Sequence, residues 1–109
     1  MKNRYLSILA VMFTLAACSP DIETGIVGEW TGEVINQDFV FYEDGYVDLI
    51  DRKHGTFEGE YAITDGNTLT CTIDSAIFTE PIISKVKIKG DKLILKSPNG
   101  REDVYVREN

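Results

Sequence analysis

Apolar and polar residues alternate with a period of two along most of the chain, which is the pattern of strands with one buried face. In residues 55–64, Phe57, Tyr61 and Ile63 alternate with polar side chains, and residues 82–89 show the same alternation with lysines on the polar face. No stretch beyond the N-terminal leader has a helical period. The alternation predicts eight strands, at residues 28–35, 38–43, 46–52, 55–64, 68–73, 82–89, 92–97 and 102–107.

Short turn sequences separate the predicted strands. Asp44-Gly45 and Asn99-Gly100 are of the kind that favours tight turns with positive φ. Closing the sheet on itself removes the exposed edges that invite aggregation. The prediction is therefore an all-β fold, a small antiparallel up-and-down barrel of roughly eight strands. Glycines inside strands, such as Gly59, are expected at bends or where the closing sheet crowds its own backbone.

The N-terminal residues have the composition of a secretory leader. Lys2 and Arg4 precede an apolar stretch at residues 6–17, which is too short for a spanning helix of about 20 apolar residues. The stretch ends in the sequence Leu-Ala-Ala-Cys, which places the cysteine at Cys18. This sequence resembles the lipobox of bacterial lipoproteins, in which the cysteine becomes the first residue of the mature chain and carries a diacylglycerol.

The lipobox resemblance implies three segments along the chain. These are a signal peptide at residues 1–17 that is removed, the lipidated Cys18 with a short tether at residues 18–25, and the predicted barrel domain at residues 26–109. Ser19 implies, by analogy with enteric bacteria, delivery to the outer membrane, with the domain facing the periplasm or the cell surface. Because two or more acyl chains hold a protein durably on a bilayer, the membrane is the first expected partner.

The charge of the chain is strongly acidic and unevenly spread. The whole sequence has a formal net charge of −7, and no nucleic-acid partner is expected because phosphate binding requires Lys and Arg. Residues 21–80 contain 14 acids with only Arg52 and Lys53 as bases, whereas residues 81–109 contain 4 acids and 7 bases. Two interpretations remain open. Either the two parts neutralise each other inside the fold, or the domain presents an acidic face to a cationic partner.

Few residues indicate chemistry. His54 lies in a polar turn, and one His with two Cys gives too few ligands for a zinc site of that type. Cys71 shares one strand face with the apolar residues Leu69 and Ile73, so a buried, inert thiol is expected, with no disulfide partner once Cys18 is acylated. Glu58 and Glu60 share an outward strand face, where a solvated acidic surface is expected rather than a calcium site. No enzyme activity, cofactor or metal is predicted.

Five short motifs follow one another along the predicted strands. They are Gly28-Glu29-Trp30, Phe41-Tyr42-Glu43-Asp44-Gly45, Gly59-Glu60-Tyr61 with Leu69, Leu93-Ile94-Leu95 and Tyr105-Val106-Arg107. In their order and spacing these motifs resemble the short lipocalin-like domains of bacterial lipoproteins. The resemblance implies a lipocalin-like barrel at residues 26–109, in which Trp30 closes one end and Arg107 of the last strand packs over it through a cation–π contact. The face of Arg107 remains open, because inward-pointing Val104 and Val106 would turn it outward.

Two classes of non-catalytic function follow from this fold. The first is binding of a small apolar or amphipathic ligand inside the barrel. The alternative is a protein-binding envelope module with a filled barrel, for example an inhibitor of a cationic hydrolase or an accessory or assembly subunit. Ile77 and Phe78, in the segment that breaks the alternation, are expected either to cover a barrel end or to plug the core. The candidate ligand-binding residues are Trp30, Phe39, Phe41, Phe57 and Tyr61.

Overall fold

The computed structural model describes residues 21–108. The predicted signal peptide and Cys18 lie outside these residues. The described chain begins with a short helix, α1 (Ile22–Gly25), and continues into eight strands. The strands are β1 (Gly28–Gly32), β2 (Gln37–Phe41), β3 (Tyr46–Asp51), β4 (Gly55–Thr64), β5 (Thr68–Ile73), β6 (Ile82–Lys89), β7 (Lys92–Lys96) and β8 (Glu102–Arg107).

The eight strands form a closed antiparallel up-and-down barrel. Each strand pairs with its neighbour in sequence, and β8 pairs with β1 to close the sheet, with Arg107 opposite Trp30. The predicted fold class is confirmed. β1 is shorter than predicted and ends at Gly32, where a Cβ atom would lie 2.5 Å from the carbonyl oxygens of Ile35 and Gln37. Residues 33–36 form the bend that leads from β1 back into β2.

One helical turn was not predicted from the sequence. Asp21 caps α1, since its side chain accepts a hydrogen bond from the Glu23 amide at 3.1 Å. Ile22 packs against the barrel core and Ile26 is fully buried. The expectation of no helix beyond the leader is therefore wrong, because four residues with one cap are too short to show a period. Among residues 21–108, no helix is long and apolar enough to cross a membrane.

The barrel interior is packed with apolar side chains from alternate positions of the strands. The ring centroids of Phe39 and Phe41 lie 5.1 Å apart, those of Phe39 and Tyr105 lie 5.3 Å apart, and those of Phe41 and Tyr61 lie 5.0 Å apart. Burying a large apolar side chain stabilises a fold by about 1.5–3 kcal/mol, so this cluster is a main source of stability. Cys71 is fully buried within it, as predicted.

The backbones of β4 and β5 lie so close together that the middle of β4 requires a glycine. A Cβ atom at Gly59 would clash with the carbonyl oxygen of Thr72 and lie 2.9 Å from the Cα atom of Ile73. Both of these atoms belong to the neighbouring strand β5, whose backbone cannot move away without breaking the ladder. The backbone crowding predicted for Gly59 is confirmed.

The irregular segment at residues 74–81 covers the barrel end opposite α1. Phe78 packs against the core and meets Phe57 edge to face, with ring centroids 5.6 Å apart. Ile77 is 57% exposed. The two apolar residues of this segment therefore have different positions, since Phe78 contributes to the core and Ile77 contacts solvent.

Candidate functional site

Trp30 and Arg107 lie together at the barrel end covered by α1. The Trp30 side chain is 1% exposed, and its Nε1–H donates a hydrogen bond to the Ile26 carbonyl at 2.8 Å. The guanidinium carbon of Arg107 lies 4.2 Å from the centroid of the Trp30 ring. Arg107 also donates hydrogen bonds to the carbonyls of Val27 at 3.1 Å and Gly25 at 2.7 Å. These contacts fasten the N-terminal segment across the end of the barrel.

The register of β8 explains how Arg107 reaches Trp30. Tyr105 lies opposite Gly32 and is 2% exposed, so the inward positions of β8 are the odd-numbered ones. Val104 and Val106 therefore point outward, against the orientation that their apolar side chains suggested. Desolvation lowers the pKa of Arg107 from its ordinary value, but a guanidinium remains charged at neutral pH.

The five residues proposed for ligand binding all belong to the barrel wall, but they are buried to different degrees. Trp30, Phe39 and Phe41 are at most 2% exposed, so they present no surface to a ligand. Phe57 and Tyr61 are half-buried and pack against the same core. The Tyr61 hydroxyl group donates a hydrogen bond to a backbone carbonyl at 2.7 Å. In this structure the aromatic rings fill the interior with contacts among themselves.

The side chains that could take part in catalysis or metal binding do not lie close to one another. Burial raises the pKa of the Cys71 thiol to about 12, so the nucleophilic thiolate is not formed at neutral pH. His54 is exposed in the turn after β3, with Nδ1 3.2 Å from the Asp51 carboxylate. Hydrogen bonds, first among them that from the Lys53 amide, lower the pKa of Asp51 to about 2. Within residues 21–108, no group of three or more His, Cys, Asp or Glu could hold a metal ion.

An acidic groove runs along the outside of β3 and β4. The register places Asp48 opposite Glu58 and Tyr46 opposite Glu60, so three acids and an aromatic ring share one outer face. The glutamates are exposed, and Tyr46 is 55% exposed. The sequence indicated Glu58 and Glu60, but the other members needed the strand register. We define the acidic groove as two adjoining depressions of 520 and 330 Å³, lined between them by Tyr42, Asp44, Tyr46, Val47, Asp48, Glu58, Gly59, Glu60, Thr72, Ile73 and Asp74.

A second charged surface, of opposite sign, lies on the outside of β6 and β7. All of its lysines are exposed, and within residues 21–108 none of them forms an ion pair. The outward threonines of β5 lie between the acids of the groove and the lysine face and carry no charge, with Thr72 lining the groove and Thr68 accepting a hydrogen bond from Lys85 at 2.8 Å. The two charge sets therefore do not neutralise each other across a strand pair. The lysine face consists of Lys85, Lys87, Lys89, Lys92 and Lys96.

Comparison with known proteins finds no matching family model, no matching curated protein and no matching solved structure. Three features of the molecule itself bear on its function. These are the closed and filled barrel, the acidic groove and the lysine face.

Proposed function

We propose that the protein is a lipoprotein anchored to the bacterial outer membrane through Cys18, and that its lipocalin-like barrel binds a cationic protein without catalysing a reaction. The observation that carries the proposal is the acidic groove on a barrel whose interior is occupied by its own side chains. The anchor is supported by the lipobox-like sequence that ends at Cys18. The binding mode is supported by the outer surface of β3 and β4.

The filled interior favours a protein partner over a small ligand. A ligand site is a concave space of about 300–1,000 Å³ whose apolar lining is open to the ligand. Phe41 is 0% exposed, and Trp30 and Phe39 are 1% and 2% exposed. A ligand would have to displace several of these side chains, each of which contributes to the stability of the fold.

The acidic groove has the features that a cationic protein surface requires. Asp48 and Glu58 are held opposite each other, and like charges in that position destabilise a sheet until an opposite charge arrives. Tyr46, which is 55% exposed, offers the ring face on which Lys or Arg side chains bind. Charge complementarity of this kind accelerates encounter and weakens as salt increases.

Binding of a small apolar ligand is the second candidate, and one feature favours it. Phe57 and Phe78 are both half-buried at the barrel end opposite α1, and they meet each other through an edge-to-face contact. Movement of residues 74–81 would expose these rings. Native mass spectrometry of the processed protein, purified gently from its own host, distinguishes the two candidates. A bound small molecule would support ligand binding, whereas a mass equal to that of the processed chain alone would favour binding of a cationic protein.

The anchor is tested by the intact mass of the full-length chain after expression in a bacterium. We expect a chain that begins at Cys18 and carries added acyl groups. Cys18→Ser is expected to show neither the cleavage nor the added mass. Finding the wild-type chain unacylated would contradict the anchor and leave the groove to be tested separately.

The groove is tested by binding to a defined cationic protein, lysozyme, measured by calorimetry at low salt. We expect binding that weakens in Glu58→Gln and Glu60→Gln, because each change removes one groove charge without changing side-chain shape. Glu102→Gln, on β8 outside the groove, is the matched control and is expected to bind like the wild type. Equal binding by all three variants, or no binding at all, would contradict the assignment of the groove to cationic hydrolases of this type.

A further inference from the structure

The lysine face brings like charges together across the β6–β7 pair, and the offsets within the fold are Glu102 opposite Lys96 and a hydrogen bond of 2.8 Å from Lys85 to Thr68. The register places Lys85 directly opposite Lys96 and Lys89 directly opposite Lys92, with Lys87 between the two pairs. Like charges that face each other across a strand pair destabilise the sheet. No acid within residues 21–108 forms an ion pair with any of the five lysines. An anionic surface laid against this face would relieve the repulsion.

One end of the lysine face forms a groove of mixed character. The groove has a volume of 340 Å³ and is lined by Lys85 and Lys96 together with Ile83 and Pro98, among others. Ile83 is 47% exposed and gives this groove an apolar surface beside its lysines. Two cations beside an exposed apolar residue match the chemistry of a lipid headgroup region, where phosphates adjoin acyl chains.

The chain enters the barrel at the end where β6 finishes, and Lys89 of the lysine face lies at that end. Helix α1 contacts β6, where Gly25 lies against the core-packing Ile88 side chain. Cys18 precedes Asp21 by three residues, and three residues of extended chain span about 10 Å. An acylated Cys18 would therefore hold this end of the barrel, with Lys89, close to the bilayer surface.

We infer that the lysine face lies against the anionic phosphate headgroups of the membrane that holds Cys18, an inference that rests on the proposed lipid anchor. Each lysine near an anionic surface strengthens attachment roughly fivefold. Five lysines on adjacent strands would thus fix the orientation of the barrel as well as its attachment. The acidic groove, separated from this face by β5, would then remain open to a partner from the aqueous compartment.

The test is a lysine-labelling experiment on the intact acylated protein. The protein is reconstituted into vesicles of phosphatidylcholine alone or of equal parts phosphatidylcholine and phosphatidylglycerol. An amine-reactive reagent is applied briefly, and mass spectrometry gives the labelling rate of each lysine. Lys53, in the turn between β3 and β4, is the internal control because it is exposed but lies outside the lysine face. Flotation and intact mass report the anchor independently.

The expected result is labelling of the five face lysines that is at least about fivefold slower in the anionic vesicles than in the neutral ones, because a single lysine contact already strengthens attachment by about that factor. Lys53 is expected to label equally in both. Protection should disappear in about 1 M salt, where the Debye length is only about 3 Å. The double variant Lys85→Glu with Lys96→Glu should lose protection at the remaining face lysines, whereas Lys53→Glu should retain it.

Three results would overturn the inference while leaving the anchor intact. Equal labelling in neutral and anionic vesicles of an acylated, floating protein would show that the face does not touch headgroups. Protection that requires an added acidic protein would assign the face to that protein. Protection in detergent that rises with protein concentration would assign it to a second copy of the chain. If the intact mass shows no acyl group, the unacylated chain is mixed with the same vesicles and labelled in the same way. Face lysines that are not protected in the anionic vesicles would then also refute the inference.

Discussion

Trp30 connects the barrel wall to the segment that covers its end, and replacing it by alanine tests this closure directly. The change removes a side chain that is 1% exposed, its hydrogen bond of 2.8 Å to Ile26, and the ring that lies under Arg107. Truncating a buried tryptophan or phenylalanine to alanine costs about 3–5 kcal/mol. A small domain has only about 5–15 kcal/mol of stability, so Trp30→Ala should lose a large fraction of it.

A second substitution separates packing from hydrogen bonding. Trp30→Phe keeps an aromatic ring in the core but removes the Nε1–H donor and leaves the buried Ile26 carbonyl without that bond. An unpaired buried acceptor costs about 1–3 kcal/mol, so this variant should fall between the wild type and Trp30→Ala. In a double-mutant cycle with Arg107→Met, the coupling with Trp30 should be about 0.5–2 kcal/mol.

The assay is urea unfolding followed by far-ultraviolet circular dichroism. Fluorescence is unsuitable because Trp30 is the single tryptophan of the chain. Val34→Ala is the control, since Val34 is 95% exposed and should change the free energy of unfolding by less than about 0.5 kcal/mol. A loss of less than about 1 kcal/mol in Trp30→Ala would refute the closure as a source of stability.

Three further predictions concern single positions. Gly59→Ala should destabilise by about 1–3 kcal/mol in urea unfolding because its Cβ would meet the Thr72 carbonyl, whereas Ala62→Gly on the same strand should cost only about 0.5–1 kcal/mol. The pKa of Asp51 is lowered from 3.8 to about 2, so its contribution is present above about pH 4 and is lost as the pH falls toward 2. The melting temperature of Asp51→Asn should therefore depend less on pH in that window, and an unchanged slope would contradict this role. Cys71, with its pKa raised to about 12 by burial, should react with thiol reagents only as fast as the barrel opens, and rapid labelling of the folded protein would contradict its burial.

The strands could be predicted closely because their signals are local. Alternation and turn residues gave the bounds of β4, β5, β6 and β8 as the structure has them. β1 ends early because the chain bends at residues 33–36, and this bend brings the carbonyls of Ile35 and Gln37 close to Gly32. The path of this loop cannot be predicted from the alternation of apolar and polar residues within the strands.

The contact between Trp30 and Arg107 that closes the barrel end could be predicted only in part, because it depends on the register between β1 and β8. The motifs indicated Trp30 and Arg107, but the apolar pair Val104 and Val106 suggested the opposite orientation for β8. The pairing of β8 with β1, in which Arg107 lies opposite Trp30, determines the orientation of β8 and places both valines on the outer face. Side-chain polarity is a weak guide here, since an outward position on a small barrel is still shielded by its neighbours.

The two charged surfaces also depend on strand order and register, because these determine which charged side chains become neighbours. Opposite charges set on adjacent strands would neutralise each other, yet Asp48 faces Glu58 and Lys85 faces Lys96. Each such pair costs roughly 0.2–1 kcal/mol relative to a neutral one, and placing lysines beside acids would remove that cost without altering the core. Two repulsive faces of opposite sign, separated by the threonines of β5, therefore suit two different partner surfaces. The proposed partners, an anionic membrane beside the tether and a cationic protein beyond it, have the complementary charges.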